Sequence, residues 1–234
     1  EQISSGTLLG FSPYSGRIRL SLGGSTASDP KQEYVMINYS GGSSQGVVSL
    51  DGWSVENKLG GRYSIPQAST LPIGAGIDPI EPVRLPPGGS VIVSTGFSPR
   101  DQNFQLNKCT GYFNEVYSFF PSLPASCPRP DTGAVRYTFK DTCVSFIQSL
   151  PTCLNQTNRV GQFPLAVKLD SQCVSWIVDH FSYSACLSEH KLDPDFLTGQ
   201  WRVWLNQKDQ IWSNVADRIT LRDAQGRIVD QVQY

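Results

Sequence analysis

Through the first hundred residues apolar and polar positions alternate with a period of two, in short runs cut apart by Gly, Pro and Ser clusters. Arg17-Ile18-Arg19-Leu20-Ser21-Leu22 alternates strictly and places Ile18, Leu20 and Leu22 on one face of a strand. Residues 33–38, 47–50 and, after the turn Pro86-Pro87-Gly88-Gly89, 90–94 predict further antiparallel strands. From residue 101 the segments lengthen and their punctuation becomes helical. Asp141 or Thr142 caps a predicted helix that Pro151 stops, and Ser171 caps another. Strand patterning returns at 201–205, 218–221 and 227–230, the last two joined by the turn Asp223-Ala224-Gln225-Gly226. The pattern predicts a mainly β domain begun over 1–100, interrupted by a helical insert over 101–198 and completed over 199–234.

The six cysteines change this picture most. Cys109, Cys127, Cys143, Cys153, Cys173 and Cys186 all lie in the insert, and the β-segments have none. Their spacings of 18, 16, 10, 20 and 13 contain no C-x2-C or C-x4-C pair of the kind tetrahedral zinc sites use, so they read as three disulfides with 15 possible pairings. That chemistry implies an oxidising compartment, and hence a secreted or cell-surface protein. A chain beginning at Glu1 rather than Met fits either a processed or a trimmed product. Cys143-Val144-Ser145-Phe146-Ile147 recurs as Cys173-Val174-Ser175-Trp176-Ile177, through either two similar disulfide-pinned helices or chance likeness of two amphipathic ones.

Charge narrows the partners. Basic and acidic residues number 19 and 20 overall, and 7 and 7, 7 and 9, and 5 and 4 in the three segments, so no segment is basic enough to seek nucleic acid. The apolar runs are a few residues long, far short of the roughly 20 of a transmembrane helix. With 39% hydrophobic residues the chain has the means to bury a sizeable core.

The β-segments resemble the lamin-tail domain family. The resemblance rests on Glu33-Tyr34-Val35-Met36-Ile37-Asn38, Val48-Ser49-Leu50-Asp51-Gly52-Trp53-Ser54-Val55, Leu85-Pro86-Pro87-Gly88-Gly89-Ser90-Val91 and, after the insert, Ile211-Trp212-Ser213-Asn214-Val215-Ala216-Asp217-Arg218-Ile219-Thr220-Leu221. It implies an immunoglobulin-like β-sandwich in which Trp53 and Trp212 are core anchors. The long cysteine-rich helical insert is absent from ordinary lamin tails and is similar to that of some bacterial secreted members. Nuclear-lamina functions are not implied, because the chain has neither a coiled-coil rod nor a basic patch.

Candidate chemistry is sparse. Gly42-Ser43-Ser44-Gln45-Gly46 fits the nucleophile-elbow formula but sits between strands rather than between a strand and a helix. His180 and His190 are ten residues apart rather than at the i, i+4 spacing of a helical zinc site, and Asp179 and Glu189 beside them point elsewhere on a helix. Asp193-Pro194-Asp195 suits a helix cap or a cation site. At the start of the insert Tyr112, Phe113, Tyr117, Phe119 and Phe120 crowd nine positions, serving as core if buried and as a stacking platform if exposed.

The sequence thus predicts a non-catalytic secreted or surface protein without cofactor, bound metal or transmembrane segment, working through protein contacts. In one form it is a self-assembling filament or surface-layer subunit, with residues 1–13 pairing to a neighbour's sheet edge. The alternative is a glycan- or peptide-binding adhesion module using the aromatic run. A third reading, a secreted hydrolase at the insert, requires Asp179, His180, Glu189 and His190 to converge.

Overall fold

The computed structural model describes residues 10–42, 44–73, 78–133, 135–163 and 169–234. It is mainly β, and its strands in chain order are β1 (Ile18–Ser21), β2 (Tyr34–Tyr39), β3 (Val48–Ser49), β4 (Ser54–Glu56), β5 (Arg62–Ser64), β6 (Ala68–Ser69), β7 (Ile80–Glu81), β8 (Arg84–Leu85), β9 (Ser90–Ser94), β10 (Phe104–Asn107), β11 (Leu197–Trp204), β12 (Arg218–Arg222) and β13 (Ile228–Gln233). The helices are α1 (Asp141–Ser149), α2 (Ser171–His180) and α3 (Tyr183–His190). The chain divides into two compact units, one formed by residues 1–105 and 199–234 and the other by 106–198. The first boundary falls after 105 rather than 100, because β10 belongs to the large sheet. Likewise β11 starts at Leu197, four residues before the predicted strand.

In the first unit a seven-stranded sheet (β1-β2-β9-β11-β10-β6-β7) and a four-stranded sheet (β13-β12-β4-β5) share one core, and β3 pairs separately with β8. Ile18, Val35, Ile37, Val91, Val93, Trp201 and Val203 enter that core from the large sheet, and Val55, Ile219, Leu221 and Val229 from the small one. Alternation makes this possible, since burying every second side chain leaves the other face of β2 partly exposed. The sheet is not wholly antiparallel as predicted. β9 and β11 run parallel, from Ser90 opposite Gln200 to Ser94 opposite Trp204, as the chain returns from the insert in the same direction.

Trp53 and Trp212 lie in the core, 2% and 3% exposed. Gly52 precedes Trp53 with φ +71, and a Cβ there would stand 3.1 Å from that of Ala224, so position 52 favours glycine. Glu33, fully buried immediately before β2, accepts hydrogen bonds from the backbone N–H groups of Ile211 (3.0 Å) and Trp212 (3.2 Å). Burial pushes its carboxyl above the usual range while these donors oppose the shift. The acidic residue immediately before β2 therefore anchors the Ile211–Trp212 segment.

The second unit is built on disulfides and short helices. Cys109 pairs with Cys186, Cys127 with Cys153 and Cys143 with Cys173. The repeated pentapeptide is explained by the last bond, which joins the third residue of α1 to the third of α2. Ile147 and Ile177, each four residues further on, are fully buried beside it, with Leu150 and Phe181. The caps differ from those predicted. Lys140 is the α1 N-cap and makes no side-chain cap bond, so Asp141 is the first helical residue. At α2 Asp170 rather than Ser171 is the cap, accepting from the Cys173 N–H at 2.9 Å. Leu150, immediately before Pro151, is extended, as steric crowding by the proline ring requires. Arg129 closes the α1 C-terminus by donating to the carbonyls of Ile147 (2.8 Å) and Leu150 (2.7 Å).

Candidate functional site

Three of the five aromatic candidates are interior. Tyr112, Phe113 and Phe119 are buried, Phe113 lying 4.4 Å from the ring of Tyr183, so these three supply packing rather than an open stacking platform. Burial pushes the Tyr112 phenol up to about 12. Only Tyr117 and Phe120 reach the surface, Phe120 being 45% exposed. The segment is inward because Cys109, just upstream, is tied to α3, whose Tyr183 packs on Phe113.

The acid–imidazole candidates do not form one constellation. His180 stacks on Trp176 with ring centroids 4.2 Å apart and donates from Nδ1 to the Trp176 carbonyl at 2.8 Å, while Asp179 meets Ser175. His190 donates from Nδ1 to Asp193 Oδ2 at 2.9 Å, and its Nε2, closed to solvent, has no hydrogen-bond partner among the described residues. That nitrogen lies 3.9 Å from Glu189 Oε2, so His190 sits between two carboxylates of its own helix end and the turn after it. Asp193 and Asp195 both clamp the Lys108 ammonium. That contact holds both carboxyls below the usual range and raises Lys108, with His190 lowering Asp193 further. These acids are therefore an internal ion-pair cluster, neither a helix cap nor a vacant cation ligand. The Gly42–Gly46 stretch leads into β3, which pairs with β8, so no helix follows it; Ser43 itself lies outside the described residues.

A different surface has chemistry to offer. Because β9 and β11 run parallel and end level with each other, their exits lie side by side. Asn206 N–H donates to the Gly96 carbonyl (3.0 Å) and Gln207 N–H to that of Thr95 (2.9 Å). The next segment closes into a tight turn in which the Ser98 hydroxyl donates to the Gln102 carbonyl at 2.8 Å and the Asp101 N–H to the Ser98 carbonyl at 3.1 Å. Together Phe97, Ser98, Asp101, Gln102, Asn103 and Asn206 line an open crevice of about 310 Å³.

Its walls are held by internal bonds. Asn103 donates to the Gln67 carbonyl (3.0 Å) and accepts from the Trp204 N–H (2.8 Å), and Gln102 donates to Asp78 (2.8 Å). Three side chains are left over: the exposed Asp101 carboxylate and Asn206 amide, neither with a partner among the described residues, and the Phe97 ring, 49% exposed. Asp101 and Asn206 also have positive φ, 56° and 55°. Asp and Asn tolerate that conformation best among side-chain-bearing residues, and such sites cost free energy that surrounding contacts must offset. By contrast, in a second depression of about 400 Å³ beside Leu59, the Asp217 carboxylate is consumed by the N–H groups of Lys58, Ser213 and Arg218.

Sequence reasoning passes over this crevice, whose two sides come from opposite ends of the insert. The available signal is Phe97 itself, an aromatic set in a Gly-Phe-Ser-Pro turn. No family model matches the chain, and no curated protein is significantly similar to it.

Proposed function

We propose that the chain is a non-catalytic extracellular binding module: a lamin-tail-like, immunoglobulin-like β-domain that contacts its ligand through the crevice at the ends of β9 and β11 and carries the insert as a disulfide-locked appendage. The observation that carries this reading is that two exposed polar groups, Asp101 and Asn206, without partners among the described residues, line one crevice with the half-exposed Phe97 ring, while His180 and His190 bond within their own unit. The lamin-tail resemblance is supported by the core positions of Trp53 and Trp212 and the anchoring role of Glu33. Three disulfides support the extracellular placement.

The sheet edges favour a separate particle over a strand-exchanged polymer. The free Leu20 N–H on edge strand β1 is satisfied by Asp230 Oδ2 of β13 at 2.7 Å. The Ser12 N–H bonds the Ile228 carbonyl of the same chain at 2.8 Å, so the described end of the N-terminal segment pairs in cis; residues 1–9 of the proposed exchange strand lie outside the described residues. Of the other edge strands, β3, β5, β7 and β8 are two or three residues long, and the six-residue β13 is met at its first residue, Ile228, by the Ser12 bond and beside it by β1 through Asp230. Capped and shortened edges are how sheets avoid templating others.

The test is retention of the unreduced protein on fragmented bacterial cell envelopes. Wild type is expected to be retained, and an Asp101→Ala/Asn206→Ala double variant to lose at least tenfold in apparent affinity. Equal retention of the two would place the contact elsewhere and end this reading.

A further inference from the structure

We infer that the crevice takes a saccharide, specifically one neutral or amino-sugar residue of a glycan; the inference rests on the binding reading above and names its ligand class. The three leftover groups complement what a pyranose presents. One face of the ring is a patch of C–H bonds, suited to the half-exposed Phe97 ring. The rim carries adjacent hydroxyls, each both donor and acceptor. The Asp101 carboxylate accepts from them, and the Asn206 amide both accepts and donates. Both of those groups are planar and short, so they hold two neighbouring hydroxyls with little side-chain entropy to lose.

Size and charge narrow the class further. A crevice of about 310 Å³ sits at the low end of small-molecule sites, enough for one sugar ring with its neighbours in solvent. Asp101 is the charged residue of the lining, which disfavours sulfated, phosphorylated and sialylated sugars and suits a neutral or protonated amino sugar. The nearby cation Arg100 is turned to the wall, donating to Gln102 Oε1 and the Pro72 carbonyl, each at 3.4 Å. Preorganisation favours the same conclusion. The walls are held by backbone and amide bonds that no ligand has to break, and Asp101 and Asn206 are already set on left-handed backbone.

The experiment is binding of the unreduced protein to an immobilised panel of β-glucan, mannan, galactan, chitin oligosaccharides and peptidoglycan fragments. It is run with wild type, Phe97→Ala and Asp101→Ala, with each variant's melting midpoint as a folding control. Saturable binding to at least one of these glycans is expected, weakened at least tenfold by each substitution, with both variants still folded at the assay temperature, although Ala on the left-handed backbone at 101 lowers that variant's midpoint. No binding to any of them, or binding that survives both substitutions, overturns the inference. Envelope fragments pretreated with glycosidases matched to the panel (lysozyme, chitinase, glucanase, mannanase and galactanase) or with protease separate its failure from failure of the broader reading. Retention lost after glycosidase and kept after protease supports the saccharide. Retention lost after protease, kept after glycosidase and still dependent on Asp101 means the crevice binds protein, so the saccharide falls while the binding reading stands.

Discussion

Replacing Cys109 and Cys186 together by Ser is expected to destabilise residues 106–198 by about 4.5 kcal/mol, the loop-closure entropy of a 77-residue span. The same estimate gives about 3.5 kcal/mol for each of the other two bridges, which span 26 and 30 residues. The effect is expected to be large because the unit has short helices and a small core between two of them. Its helices are 9, 10 and 8 residues long, each below the length at which a helix is stable alone. The helix-pair core has only six buried residues, two of them the bridged cysteines. None of the cysteines lies in the β-domain, so the damage should stay local. Limited proteolysis checks this: the variant should be cut within 106–198 while the β-domain survives. An insert that stays resistant after the substitution would mean that its small core suffices without the bridge.

Trp53→Ala is expected to cost about 3–5 kcal/mol, combining lost transfer free energy with a cavity between two sheets that are braced by their ladders and collapse poorly. The ring is 2% exposed, belongs to the cluster both sheets share, and lies 5.3 Å from the ring of Tyr14. Against the usual marginal stability this is a large fraction, and the thermal midpoint of the β-domain should fall by on the order of 10 °C. Circular dichroism melts of Trp53→Ala beside Trp53→Phe check it, with Phe expected to recover much of the loss. A cost below about 1 kcal/mol would show that the ring is not the anchor its burial indicates.

The parts of the fold that could be read from the residues are those with local causes. Strict alternation identifies β1, and the short β-branched runs identify β2 and β9, because burial of one face demands period two. β10 escaped because Phe104-Gln105-Leu106-Asn107 is four residues long in a polar stretch and is held as a strand by its sheet neighbours. Asp170 and Ser171 are adjacent residues of equal capping ability, so only geometry chooses between them. Disulfide pairing depends on which loops meet in space. Direction was also hidden: the aromatic run from Tyr112 to Phe120 stood out, but its inward turn follows from a bond to Cys186 far along the chain. The crevice was the least legible feature, since Asp101 and Asn206 come together only through the parallel pairing of β9 with β11.

A binding module and a structural subunit differ most plainly in whether they polymerise. The most direct test is therefore sedimentation velocity of the unreduced protein over a wide concentration range, with negative-stain images of the same samples. Guarded edges and a ligand-facing crevice predict discrete particles whose sedimentation coefficient does not grow with concentration. Ordered filaments or sheets would contradict the account and return subunit packing to the centre of this protein's function.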